Sequence, residues 1–267
     1  MNLIEAIMAR HSVRSYETRP LADDVVAKLQ ESINQYNTVS GLRMQLVTGD
    51  PETFDCFWAH YGKFTGVTNY IAMVGAPDAA ELCGYYGEKL VLEAQMLGLN
   101  TCWVGLSYKK VPGRYTIAKG EKLHLVIALG YGTTQGVMHK SKTIDKVSKC
   151  QGEMPKWFRA GVEAALLAPT AVNQQKFRFE LIGDRVPCHY RLGILLQGRS
   201  RHRQAPLRDR LRKAILNLAI TPTKILSALF AKKIANSKIC FYLCNRKWFS
   251  AFAELRWECS AILQLCP

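Results

Sequence analysis

The chain has 267 residues, of which 48% are hydrophobic and 21% charged, a composition that allows a sizeable buried core and excludes a disordered or collagen-like protein. The net charge of +15 is unevenly placed, since residues 1–186 carry 21 Lys and Arg against 18 Asp and Glu, and residues 187–267 carry 15 against 3. The first stretch therefore has the balance of an ordinary globular protein, and only the second favours an anionic partner such as nucleic acid or a membrane surface.

The first stretch predicts alternating helices and strands. Helical spacing of apolar residues predicts helices over residues 2–9, 21–33 and 78–98. The third helix is apolar around most of its circumference, which indicates burial between layers or at a subunit-like interface. Gly98 is expected to end this helix, and TCWVGL (101–106) to open a loop. Continuous or alternating apolar runs predict strands at 43–50, 69–77 and 124–132.

A weak internal repeat follows. Residues 154–184 show the same succession as residues 21–50, an amphipathic helix, a loop and a strand, and both copies close on Gly-Asp (RMQLVTGD and RFELIGD). The two connecting loops differ, and the second is richer in polar side chains. This pattern predicts a degenerate duplication, with chance resemblance of two helix–strand units as the alternative.

The cysteines and the apolar runs exclude other classes. Nine cysteines, an odd number, exclude a complete disulfide framework, and no Cys or His spacing is that of a zinc site, so no metal is expected. The amino-terminal stretch contains Glu5 and lacks the apolar core of a signal peptide. No apolar run approaches the ~20 residues of a membrane-spanning helix. These features predict a cytoplasmic protein that does not bind a membrane.

Three segments together suggest a site for an anion and a flat ring. Arg10–Arg14 offers two guanidinium groups, an imidazole and a hydroxyl, a set that matches phosphate oxygens, although a solvated basic helix end is the alternative. Lys140 and Lys142 alternate after a strand and so would point the same way, unless they lie in a solvent-facing loop. The loop Pro169–Gln175 could contact ring heteroatoms, with helix capping by Thr170 or Asn173 as the alternative.

Four motifs in this order resemble the FMN-dependent nitroreductase family, in its single-chain, pseudo-dimeric TM nitroreductase branch. ARHSVR (9–14) resembles the family's FMN-phosphate motif, and LEAQMLGLNTCWVG (92–105) its central helix with the loop at the flavin edge. HKSK (139–142) resembles its basic phosphate-binding pair, and LAPTAVNQQKF (167–177) the loop that reaches the flavin from the other half. The family usually has Pro-Trp after this last motif, where this chain has Lys176-Phe177.

The resemblance implies an α+β fold, a mixed sheet flanked by helices, built as an internal pseudo-dimer of two unequal halves. Residues 1–150 would form the first half, residues 151–186 the start of the second, and residues 187–267 a basic tail. One FMN per chain is expected, because QYNTVSGL (35–42) stands where a second flavin loop would lie.

The resemblance also implies function. FMN would be the cofactor, NADH or NADPH the co-substrate, and a nitro compound, a quinone or a similar small molecule the acceptor. The phosphate and ribityl chain would be held by Arg10, Ser12 and Arg14 with His11 beside them, and Lys140 and Lys142 would complete the clamp. Contacts to the ring would come from Val104, Gly105, Pro169, Thr170, Ala171 and Asn173. No catalytic side chain and no nucleic-acid partner are expected, and the protein would be a monomer. The alternatives are a flavin-storage module without efficient turnover, or a nucleic-acid-binding protein that uses the basic tail.

The tail has a second interpretation. When residues 187–215 are back-translated and read one base later, the genetic code permits PATTGLGFYSKVDLGIVKHHFEIGSGKQF, which resembles the ending of the same family branch. A single-base frameshift near residue 186 would explain the excess of arginine and the five cysteines at 188, 240, 244, 259 and 266. The hypothesis predicts a poorly ordered tail without selected function, and the coding DNA decides it.

Overall fold

The computed structural model describes residues 1–183 and 185–190, and it divides the chain into two units. The first unit comprises residues 1–140, and the second begins at Ser141. Both units combine helices with a β-sheet, which confirms the predicted α+β class.

The first unit contains four helices and four strands among its described residues. The helices are α1 (Leu3–Ala9), α2 (Asp23–Ser40), α3 (Phe57–Tyr61) and α4 (Ala80–Met96), with a 3₁₀ turn at Glu52–Phe54. The strands are β1 (Arg43–Val47), β2 (Asn69–Gly75), β3 (Asn100–Val104) and β4 (Lys122–Gly130). They form one antiparallel sheet in the order β1-β2-β4-β3, so β1 and β3 are its edges.

The sheet of the first unit is covered on both faces. The alternate residues Tyr70, Ala72 and Val74 of β2 pack in a cluster with Val13, Tyr16, Phe54 and Phe64 from the preceding loops. On the other face α4 packs against β2, β3 and β4, with α1 and α2 beside it. Because both faces are covered, every residue of β2 is buried, which explains why its sequence is continuously apolar rather than alternating.

Two elements differ from their prediction. The segment expected to open a loop after Gly98 is strand β3, whose residues Asn100–Val104 are all buried and pair with β4. The helix predicted to end at residue 33 continues to Ser40, so most of the loop expected before β1 is helical. The Asn37 side chain donates to the Met44 carbonyl at 2.9 Å and accepts from the Met44 N–H at 2.8 Å, which joins the helix end to β1.

The second unit is smaller among the described residues. It contains helices α5 (Ile144–Val147) and α6 (Lys156–Leu167), a 3₁₀ turn at Ala171–Asn173, and strands β5 (Ser148–Cys150), β6 (Phe177–Leu181) and β7 (Cys188–Tyr190). Strand β6 lies between β5, to which it is parallel, and β7, to which it is antiparallel, so the mixed sheet is found here. Its core contains Val147, Phe158, Val162, Ala165, Leu166, Phe179, Leu181 and Val186.

The predicted succession of helix, loop and strand is present over α6 and β6. The duplication itself, the pseudo-dimer and the boundaries at 150 and 186 stay predictions. Apart from residues 187–190, the proposed out-of-frame tail lies outside the described residues. Over the part of the chain that the structure describes, no helix is both long and apolar enough to cross a membrane.

Candidate cofactor site

The basic segment after α1 runs along the open edge of the first sheet. Ser12 forms a parallel bridge with Thr101 of β3, and the Val13 N–H donates to the Thr101 carbonyl at 3.1 Å. The extended backbone places Val13 in the hydrophobic core and leaves Ser12 and Arg14 exposed. Ser12 and Arg14, two polar residues of the predicted set, are therefore open to solvent, while burial of Val13 fixes the position of the segment.

Arg10 differs from Arg14, because only 4% of its surface is exposed. Its Nε lies 3.8 Å from Glu88 Oε1, and Glu88 Oε2 also accepts from the Trp103 indole N–H at 3.1 Å. Burial raises the pKa of Glu88, while Arg10 and the indole N–H oppose that rise. The buried Arg10 Nη1 has no hydrogen-bond partner within the described residues. A buried guanidinium N–H without an acceptor is costly, so this atom suits an anionic ligand such as a phosphate.

The thiol of Cys102 lies directly beside the basic segment. Burial raises the pKa of this thiol, while the charges of Arg14 and Arg10 and hydrogen bonds with the Ser12 and Arg14 side chains lower it. The side chain also belongs to the apolar cluster that contains Val13 and Val104. Cys102 therefore contacts Ser12 and Arg14 from the buried side of the basic segment.

A second basic loop approaches the same segment within the first unit. A Cβ on Gly136, which has a φ of +71°, would lie 2.9 Å from His11 Cβ and 3.3 Å from the Ser12 carbonyl. Burial lowers the pKa of His11, and the charges of Arg10 and His139 lower it further. Residues 136–139 therefore lie against His11 and Ser12, and Lys140 follows directly in the chain.

The residues predicted to meet the ring edge lie on the strand next to the basic segment. Val104 is buried at the end of β3 opposite Val126, and Gly105 begins the connection that follows. The structure thus brings three of the predicted segments together in the first unit: residues 10–14, the end of β3, and the loop that leads to Lys140.

The remaining predicted residues lie in the second unit. Lys142 Nζ donates to the carbonyls of Gln174 and Gln175 at 2.7 and 2.8 Å. Thr170 Oγ1 accepts from the Gln175 N–H at 3.1 Å, and Asn173 Oδ1 accepts from Gln175 Nε2 at 2.6 Å. Pro169 and Ala171 lie in the same loop, next to these polar residues. Lys142 is thereby brought together with Thr170 and Asn173.

Glu88 was missed by the sequence reasoning, and Gln175 was named only as the end of the loop Pro169–Gln175, without a role of its own. A glutamate inside an otherwise apolar helix surface was the available signal for Glu88, because a buried carboxylate requires a cation or a donor. Gln175 carried no comparable signal, since nothing in the sequence distinguishes it from Gln174. No group of three or more His, Cys, Asp or Glu residues with metal-binding geometry occurs in the described ranges.

Comparisons with known proteins show one family model and several solved structures that are similar to this chain. A family model described as "Putative TM nitroreductase" matches residues 2–195. Among solved structures, one described as a "putative nitroreductase" from Thermotoga maritima has 22% identity and a TM-score of 0.48, covering 71% of this chain and 76% of that one. A structure described as a "putative nitroreductase in complex with fmn" from Desulfovibrio desulfuricans has 16% identity and a TM-score of 0.42, covering 58% of this chain and 99% of that one. The NfrA1 nitroreductase of B. subtilis has 13% identity and a TM-score of 0.43, covering 54% and 72%.

None of the curated proteins matches the chain significantly. The family model alone spans well over half of the 267 residues. The chain therefore belongs to the TM nitroreductase family of oxidoreductases.

Proposed function

We propose that the protein is an FMN-dependent oxidoreductase that uses NADH or NADPH to reduce nitro compounds, quinones or similar small acceptors. Family membership supports an oxidoreductase. The observation that most supports FMN as the cofactor is the buried Arg10 Nη1, which lacks an acceptor in the described residues. Arg10 belongs to a segment that lies between β3 and the loop that contains His139.

In the first unit the phosphate and ribityl chain would be bound by Arg10, Ser12 and Arg14, with His11 beside them. The exposed Arg14 guanidinium is accessible to a ligand, and the buried Arg10 supplies a fixed donor. Lys140 would add a further positive charge. Val104 and Gly105 would bring backbone close to the reactive edge of the ring, where a glycine admits close approach.

In the second unit Lys142 would add to the phosphate contacts, since an ammonium group has three N–H donors and two of them are bonded to carbonyls. Pro169, Thr170, Ala171 and Asn173 would contact the ring. The family resemblance assigns these contacts, and the hydrogen bonds that hold the loop support a defined surface.

When bound, FMN supplies reversible acceptance and donation of a hydride. The protein's residues then need to bind the cofactor, orient it and leave one face open to substrates, so no side chain is assigned as an acid, base or nucleophile. One flavin per chain, a monomeric state and a cytoplasmic location belong to the same proposal.

The test uses the purified full chain, loaded with FMN and freed of excess cofactor. NADH and NADPH oxidation is followed at 340 nm with a nitroaromatic acceptor and with a quinone, and free FMN at equal concentration serves as the control. We expect acceptor-dependent oxidation well above the free-FMN rate. Tight FMN binding without such oxidation would instead support a flavin-storage module.

A further inference from the structure

The loop between α6 and β6 has an unusual backbone. Within residues 170–175, here called the 170–175 loop, Val172, Asn173 and Gln175 have φ values of +49°, +51° and +43°. Such conformations are unfavourable for non-glycine residues, and a β-branched valine adopts them particularly rarely. Three of them within four residues persist only where the surroundings hold the chain in place.

Gln175 provides much of that hold. Gln175 is only 1% exposed, and both the oxygen and the nitrogen of its side-chain amide form hydrogen bonds. Oε1 accepts from the Lys142 N–H at 2.8 Å, and Nε2 donates to Asn173 Oδ1 at 2.6 Å. The Gln175 N–H also donates to Thr170 Oγ1 at 3.1 Å. One buried residue therefore fixes the first, middle and last parts of the loop and joins them to residue 142.

The side chain of Lys142 also holds the 170–175 loop, through the backbone carbonyls of the loop. Its Nζ donates to the carbonyls of Gln174 and Gln175, so the carbonyls of this strained segment have a charged donor. Burial and the charges of Lys176 and Lys146 lower the pKa of Lys142. The bonds of Lys142 and Gln175 together tie two segments that are 33 residues apart in sequence.

The held loop presents a particular surface. Val172 is 79% exposed, although it is an apolar residue in a strained conformation. The flanking Ala171 and Asn173 belong to the set assigned to the flavin ring. An apolar side chain held outward beside an amide suits a flat heteroaromatic ring better than it suits water.

We propose that Gln175 and Lys142 are positioning residues that lock the 170–175 loop in the shape that binds the ring, with Val172 as an additional contact. The inference rests on the proposed FMN function. The advantage of the lock is preorganisation, because a loop already held in its bound conformation loses little entropy on binding. Neither residue needs to touch the reacting atoms.

The experiment uses Gln175→Met, which keeps the side-chain volume and removes the hydrogen bonds of Oε1 and Nε2. Gln174→Met, one residue earlier, is the matched control. Hydrogen–deuterium exchange of residues 169–177 is measured without FMN, and the FMN dissociation constant is measured by quenching of flavin fluorescence. We expect exchange about tenfold faster and FMN binding about tenfold weaker in Gln175→Met, and wild-type behaviour in the control.

Lys142 keeps the test decisive if Gln175→Met fails to fold, because its exposed side chain can be changed with little effect on the core. Lys142→Met should loosen the loop, and Lys142→Arg, which retains the donors, should restore its protection. Unchanged exchange in the folded variants would overturn the lock, and faster exchange with unaltered FMN affinity would overturn its positioning role. Absence of FMN binding by the wild type would overturn the proposed function, while the exchange experiment would still decide the lock.

Discussion

Two buried charged side chains of the first unit have different surroundings. Asp50 is fully buried and accepts from the Thr53 hydroxyl at 2.7 Å and the Tyr70 hydroxyl at 2.8 Å, with Arg114 Nε at 3.5 Å. Arg10 has its carboxylate partner at 3.8 Å and a second nitrogen without any acceptor in the described residues. The Asp50 site is thus satisfied by the protein itself, whereas the Arg10 site suits an external anion.

The satisfied carboxylate predicts a pH-dependent stability. Burial by itself raises the pKa of Asp50, but hydrogen bonds from Thr53 and Tyr70 and the charge of Arg114 bring it below the usual value of 3.8. Its stabilisation is therefore complete above the unfolded-state pKa and is lost as the pH falls through the lower folded-state pKa. We expect Asp50→Asn to reduce the free energy of unfolding by about 1–3 kcal/mol at pH 7.

Urea unfolding of wild type and Asp50→Asn at neutral and acidic pH measures this effect. The difference between the two proteins should shrink as the pH falls into the folded-state titration of Asp50. A difference that stays constant down to acid unfolding would show that the ionised carboxylate is not the source of the stabilisation.

At the scale of elements, α4 can pack close to β3 because Gly87 has no side chain. A Cβ on Gly87 would lie 2.4 Å from Trp103 Cη2 and 3.2 Å from Ile127 Cδ1. The neighbouring Glu88 receives the Trp103 indole N–H and lies near Arg10, so the same contact of helix and strand supports the candidate cofactor site. The approach of α4 to the sheet therefore brings Glu88 close to both Trp103 and Arg10.

Gly87→Ala tests this contact. In an exposed helix interior the change would stabilise by about 0.5–1 kcal/mol, but here the added methyl must displace a buried indole, and overpacking of a core costs about 1–3 kcal/mol. We expect a net loss of stability in thermal unfolding, together with altered Trp fluorescence. Gly98→Ala is an unsuitable control because its φ is +82°. Ala27→Gly, at an exposed position inside α2, shows the ordinary propensity effect for comparison.

The sequence predicted the elements whose pattern is local. The apolar runs of β2 and β4 and the broad apolar surface of α4 were recognisable, and all three elements are present. Strand β3 was missed because Asn100 and Thr101 interrupt its apolar pattern, and only pairing with β4 makes them a strand. The end of α2 was missed because Asn37–Ser40 have weak helix propensity, which the Asn37–Met44 bonds override.

The candidate site was predictable in part for the same reason. Arg10, Ser12 and Arg14 could be proposed as phosphate ligands because their types and spacing suit a phosphate, and this assignment stays a prediction. The pairing of Arg10 with Glu88 is set by packing of distant segments, and so is the role of Gln175 as the centre of its loop. The sequence shows a glutamate in a broadly apolar helix, but it does not show that Arg10 is the partner of Glu88, and no local pattern distinguishes Gln175.

At the scale of the whole molecule, the excess positive charge and the residues proposed to bind FMN lie in different parts of the chain. Residues 1–186 are nearly balanced in charge, and every residue assigned to FMN lies among them, whereas most of the excess charge lies in residues 187–267. A family model that extends to residue 195 covers all the assigned positions. The proposed activity therefore depends on a few cations at defined places and not on the overall positive charge.

The proposed function depends on binding of the FMN phosphate by the basic segment at residues 10–14. The most direct test measures FMN binding to the full chain, by quenching of flavin fluorescence, in the wild type and in Arg14→Glu. Arg14 is exposed, so the reversal should leave the circular dichroism spectrum unchanged, and Arg159→Glu on α6 provides the same change of charge elsewhere. We predict that the wild type and Arg159→Glu bind FMN alike and that Arg14→Glu binds it about a hundredfold more weakly, as loss of a charge-assisted bond with added repulsion requires. Equal FMN affinity in a folded Arg14→Glu variant would contradict the assignment of the phosphate to this segment.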